Sequence, residues 1–146
     1  MRFALLGVIA ILSSSAALAH FGATGVVKER MDGMKIMADA AKALGAAKAG
    51  VIPFSPALAR RAAADLKTSA AAARDQFPEG SLVHPSEASP AIWTDRARFD
   101  RILEDLIAAA DALDAAAEDE AAARLAADAV SQTCKDCHGS FREKRL

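Results

Sequence analysis

The residues with the most chemistry to offer lie together near one end of the chain, in Cys134-Lys135-Asp136-Cys137-His138. On a helix, positions 134, 137 and 138 stand at i, i+3 and i+4 and project to one side. From that side two thiols can form thioethers with the two vinyl groups of a haem while the neighbouring imidazole reaches the iron, and C-x-x-C-H is the spacing of such attachment. Three other chemistries compete for these residues. A redox-active dithiol requires a thioredoxin-like βαβ setting. Zinc requires a fourth ligand at matching spacing, yet the other histidines, His20 and His84, are remote and there is no third cysteine. A disulfide across three residues would constrain almost nothing. The expectation is one covalently bound haem c, held through Cys134 and Cys137 with His138 as proximal iron ligand.

The elements that must position this motif read as helices throughout. Four long segments carry helix-period patterns between prolines, and none of the sequence after the first nineteen residues alternates with period two. The first runs from about Thr24 to Lys48, with Val27, Met31, Met34, Ala38 and Ala41 along one stripe, and ends at Gly50 and Pro53. The second opens at Ser55-Pro56, an N-cap followed by proline, and places Leu58, Ala62, Leu66, Ser69 and Ala73 on one face before stopping at Phe77-Pro78. Residues 78–90, with Pro78, Gly80, Pro85 and Pro90, form the longest connection, expected to wrap one end of the molecule.

The third segment, from about Ala91 to Ala117, turns Phe99, Ile102, Leu103, Leu106, Ala110 and Leu113 inward. Glu118-Asp119-Glu120 starts the fourth, since negative residues suit a helix N-terminus, and Val130, Cys134, Cys137 and Phe141 share its inner face. Short connections make consecutive helices antiparallel, so the fold class is all-α, an antiparallel up-down-up-down four-helix bundle.

Composition adds a destination and a deficit. Residues 1–19 join a basic Arg2, an apolar stretch from Phe3 to Leu12 and Ala17-Leu18-Ala19, the pattern of a cleaved secretory signal peptide; residues 20–146 are then the folded unit, placed in the periplasm. That unit carries 17 Lys and Arg against 19 Asp and Glu, a balance that argues against nucleic acid as a partner. Over all 146 residues alanine supplies 38 while Phe and Trp together supply seven, so side chains alone offer little bulk for a core. A large flat apolar cofactor would complete it.

With these residues in view, the sequence resembles the class II c-type cytochromes, the cytochrome c′ family and its low-spin branch. The likeness extends through Val26 to Met34, Phe77-Pro78-Glu79-Gly80-Ser81, Ala91-Ile92-Trp93 with Phe99, and Cys134 to Arg142. The resemblance implies a haem near the C-terminus of the bundle. It places Met34 of Arg30-x-x-x-Met34 on the distal side, where low-spin members use methionine as the sixth ligand and cytochromes c′ proper are mostly five-coordinate. It also implies that Arg142 is the family's basic residue near the proximal histidine.

A thioether ligand stabilises reduced iron, which suits Met34 to an electron carrier, although Met34 could merely pack and Met31 and Met37 flank it by one turn. Arg30 can pair a haem propionate or stand solvated at the surface, and Arg142 can hold a propionate, oppose positive charge on the imidazole, or belong to a basic tail with Lys144 and Arg145. Trp93 reads as core or staple and His84 as a loop residue. The expected function is periplasmic electron transfer with other redox proteins or membrane electron-transfer complexes, without enzymatic turnover; the alternative is five-coordinate binding of NO or CO. The resemblance also implies a homodimer paired through the first two helices, where Ala40, Ala43, Ala47, Ala59 and Ala63 would permit close approach.

Overall fold

A computed structural model describes residues 22–143. The expected signal peptide, together with Lys144 and Arg145, lies outside the described residues. The described residues form five helices: α1 Gly25–Lys48, α2 Pro56–Ala73, α3 Ala91–Thr94, α4 Arg96–Ala115 and α5 Glu120–Phe141. The four long ones form the bundle. Helix α2 packs against α1 and α4, and α4 packs against α5, while α1 and α5 meet only sparingly.

Helix ends follow local chemistry. Ser55 Oγ accepts from the Leu58 N–H at 3.2 Å ahead of Pro56, and an Asp119 carboxylate oxygen accepts from the Ala121 and Ala122 N–H groups at 3.0 and 3.1 Å. Asp119 is thus the cap of α5, and the acidic run acts just before the helix. After α2, Gly80 takes φ +78° in a turn closed by Ser81 N–H donating to Pro78 O at 3.1 Å, a conformation that favours glycine.

The third helix is not continuous from Ala91. Asp95, at φ −127° and ψ 50°, separates the single turn α3 from α4. The two pieces answer to different partners. Trp93 Nε1 donates to Phe77 O at 2.9 Å, whereas Arg96 Nη2 donates to Arg74 O at 2.6 Å. Trp93 therefore pins the long connection, and the periodic pattern spans both pieces because Ile92 and Phe99 are both buried.

Helix α1 shows a second departure. Its packed side consists of Val27, Arg30, Met37, Ala40, Leu44 and Ala47, while Met31 is 39% exposed and Ala38 is exposed. The helix has two apolar faces. One closes on α2; the other, carrying Met31, Met34, Ala38 and Ala41, lines a cavity. Alanine lets the α1–α2–α4 layers approach closely, with Ala59, Ala70 and Ala110 fully buried. Ala40, Ala47, Ala59 and Ala63 are buried within the bundle, while Ala43 is part-exposed.

Candidate haem site

Helices α1 and α5 are fastened at one end and parted at the other. Arg124 of α5 donates to Lys48 O at 2.7 Å and Ala47 O at 3.3 Å, satisfying carbonyls left over at the end of α1, and Lys48 pairs with Asp128. From there the two helices run antiparallel, which brings Met34 to the level of the last turns of α5. Between them lies a cavity of about 660 Å³, within the usual range for a cofactor or small-molecule site. Its lining is mostly apolar.

One wall carries Cys134, Cys137 and His138 and the facing wall carries Met31, Met34 and Met37, so the structure brings together the sulfur and nitrogen ligands picked from the sequence. Phe77, Phe99 and Phe141 back the cavity as an edge-to-face run, with ring centroids 5.0 and 5.4 Å apart. Met37 is 8% exposed and Met34 half-buried. His84 does not line the cavity and Trp93 is turned to Phe77.

Cys134 and Cys137 are part-buried and not joined to each other by a disulfide. Burial raises the pKa of Cys134, and burial together with Cys134 pushes that of Cys137 up to about 11, so these sulfurs lack the depressed pKa of a redox-active dithiol. His138 moves the other way. Partial burial, then the nearby Arg142 cation, lower its pKa and keep the ring neutral with a lone pair available to a metal. Among the described residues no group of three His, Cys, Asp or Glu side chains could hold a metal ion by itself, which removes the zinc alternative there.

Arg30 is not a solvated surface residue. At 4% exposure it donates from Nη1 to Gln76 O at 3.0 Å and Ser81 Oγ at 3.3 Å, and from Nη2 to Ser81 O at 2.9 Å. Its guanidinium also lies 4.7 Å from the Phe77 ring centroid, and burial lowers its pKa. It lines the cavity while clamping the 76–81 segment to α1.

Arg142 is exposed and directs Nε and Nη2 to one oxygen of Glu87 at 2.9 and 2.6 Å. Glu87 belongs to the 78–90 connection, expected to wrap one end of the bundle, a strap whose contact with the cavity sequence reasoning missed. Residues 85–88 line the cavity beside the C-terminus of α5, where Ser89 N–H donates to Phe141 O at 2.9 Å and Glu143 N–H to Glu87 O at 2.8 Å. Without periodicity, nothing in the sequence marked the strap beyond its prolines.

An apolar cavity lies between α1 and α5, two cysteine sulfurs on successive turns line it, an imidazole stands beside them, and methionine sulfur lines the other wall. These residues fit haem c. Comparison with known proteins agrees. The family model described as Cytochrome C′ matches residues 25–142. A cytochrome c-556 from Agrobacterium fabrum is 35% identical over 124 residues, 84% of each chain. The structure of cytochrome c′ from Rhodopseudomonas palustris superposes with a TM-score of 0.79 at 31% identity, covering 85% of this chain and all of that one. A mutant of cytochrome c′ from Alcaligenes xylosoxidans, solved as its nitric oxide complex, superposes with a TM-score of 0.73 at 29% identity, over 82% of this chain and 94% of that one. The chain belongs to the cytochrome c′ family, four-helix-bundle c-type cytochromes whose cofactor is covalently bound haem c.

Proposed function

We propose that this protein is a periplasmic electron carrier in which Cys134 and Cys137 hold the haem by thioethers, His138 is the proximal ligand and Met34 the distal one. The observation that carries this is the cavity with thiols and imidazole on its α5 wall and methionine sulfur on its α1 wall. When bound, the haem supplies reversible one-electron ferric/ferrous chemistry. The chain's residues do the rest. His138 offers a neutral nitrogen, and Met34 offers a thioether that favours reduced iron and raises the potential. The phenylalanines and the aliphatic side chains of α4 exclude water, and two long helices hold the ligands so that little moves on electron transfer. Arg30, a buried cation on the cavity wall, suits a propionate carboxylate.

Export through residues 1–19 brings the chain to the compartment of the redox proteins or membrane electron-transfer complexes that we expect as partners. No helix among the described residues is long and apolar enough to cross a membrane. No substrate is transformed.

A second reading, gas binding at an open distal position, draws on the cytochrome c′ relatives and on the one solved with nitric oxide. Optical spectra of ferric and ferrous protein beside Met34→Leu, with haem retention on a denaturing gel, decide between them. Electron transfer predicts a low-spin protein whose near-infrared sulfur-to-iron band disappears, and whose carbon monoxide binding appears, in the variant. A high-spin protein unchanged by the substitution refutes Met34 ligation and supports gas binding.

A further inference from the structure

We infer that Glu87 is a positioning residue for the haem: by binding Arg142 at the mouth of the cavity it fixes where that cation sits and thereby keeps the reduction potential lower than an untethered Arg142 would set it. The inference rests on haem attachment through Cys134, Cys137 and His138. Its basis is the strap. Arg142 stands four residues after His138, and its Nε and Nη2 converge on a single Glu87 oxygen at 2.9 and 2.6 Å. Backbone bonds aim the pair: Glu143 N–H donates to Glu87 O at 2.8 Å, Ser89 N–H to Phe141 O at 2.9 Å, and Ala88 bridges to Arg142. Both charged side chains line the cavity.

An ion pair this exposed, with side chains 54% and 36% accessible, adds little to stability. Its effect on a charged centre beside it is another matter. Arg142 stands one helical turn beyond His138 and lines the same cavity, so its charge lies close to the proximal side. Ferric iron carries one more positive charge than ferrous iron, so an unopposed cation on this side favours the reduced state, more strongly along an apolar wall than in water. Glu87 opposes that field and fixes where the cation sits. Among the described residues the other charged side chains lining the cavity are Lys35, which pairs with Asp39, and Arg30, which is bound to the 76–81 segment.

The test is a redox titration of the haem-loaded wild type, Glu87→Gln, Glu87→Asp, Arg142→Gln and the Glu87→Gln/Arg142→Gln double variant. At one fixed ambient potential, Glu87→Gln is expected to raise the ferrous-to-ferric ratio on the order of threefold, the size of a single charge acting through a part-exposed site. Glu87→Asp retains most of the wild-type value. In the Arg142→Gln background the effect of Glu87→Gln is smaller, because only the direct charge of Glu87 is lost and no cation is left to move, and added salt weakens it in either background. Amide exchange at Ser89 and Glu143 stays slow in Glu87→Gln. No shift in Glu87→Gln, an equal shift with and without Arg142, or loss of amide protection in the strap overturns the inference. A wild type without covalent haem would instead refute the attachment it rests on.

Discussion

Replacing Arg30 with methionine tests whether a buried cation joins α1 to the 76–81 segment beside the distal wall. The guanidinium is bound by two carbonyls, a hydroxyl and the Phe77 ring. Hydrogen bonds from a charged donor contribute ~1.5–3 kcal/mol each and a desolvated cation–π contact ~2 kcal/mol. Desolvation of the cation takes several kcal/mol back. Methionine removes both the attraction and the desolvation, but it leaves the Gln76 and Ser81 carbonyls against an apolar side chain at ~1–3 kcal/mol each. The net expectation is a loss of about 3 kcal/mol, on the order of 10 °C in Tm for a domain of this size. Arg30→Lys keeps the charge but lacks the planar fork that serves Gln76 and Ser81 together, so about half that loss is expected. Guanidinium unfolding of the haem-loaded protein, followed by far-UV circular dichroism, measures both, and amide exchange at Ser81 locates the damage. An Arg30→Met variant within about 0.5 kcal/mol of wild type, or a lysine as harmful as methionine, would refute the argument.

Two further substitutions probe what frames the site. Phe99 is 1% exposed and meets Phe77 and Phe141 edge-on, so Phe99→Ala should cost ~3–5 kcal/mol in thermal unfolding and enlarge the cavity; a loss under about 1 kcal/mol would mean that the ring is not part of the packed wall. Asp119→Ala removes the cap accepting from Ala121 and Ala122 and should cost ~0.5–2 kcal/mol in denaturant unfolding, whereas Asp119→Asn should retain most of it.

Much of the bundle was legible because helix formation is local. Ser55-Pro56 and Asp119 cap the helices that the sequence places after them, and the stripes Leu66-Ser69-Ala73 and Phe99-Ile102-Leu106 are buried as their spacing requires. The break at Asp95 was not legible. It depends on Trp93 and Arg96 finding different partners in the chain segment after α2, which no local pattern encodes.

By itself the sequence determined that thiols at 134 and 137 and an imidazole at 138 share a helical face, because 3.6 residues per turn is a property of the backbone and needs no partner. It also contained the Met31-Met34-Ala38-Ala41 stripe, but periodicity marks an apolar face without saying what will meet it. Tertiary structure decided that this face borders a cavity while Ala40, Leu44 and Ala47 close on α2, that Arg30 is buried among carbonyls, and that Glu87 lies over Arg142 from 55 residues away. Those outcomes turn on which surfaces exclude water together once four helices pack, and chain-distant neighbours leave no period in the sequence.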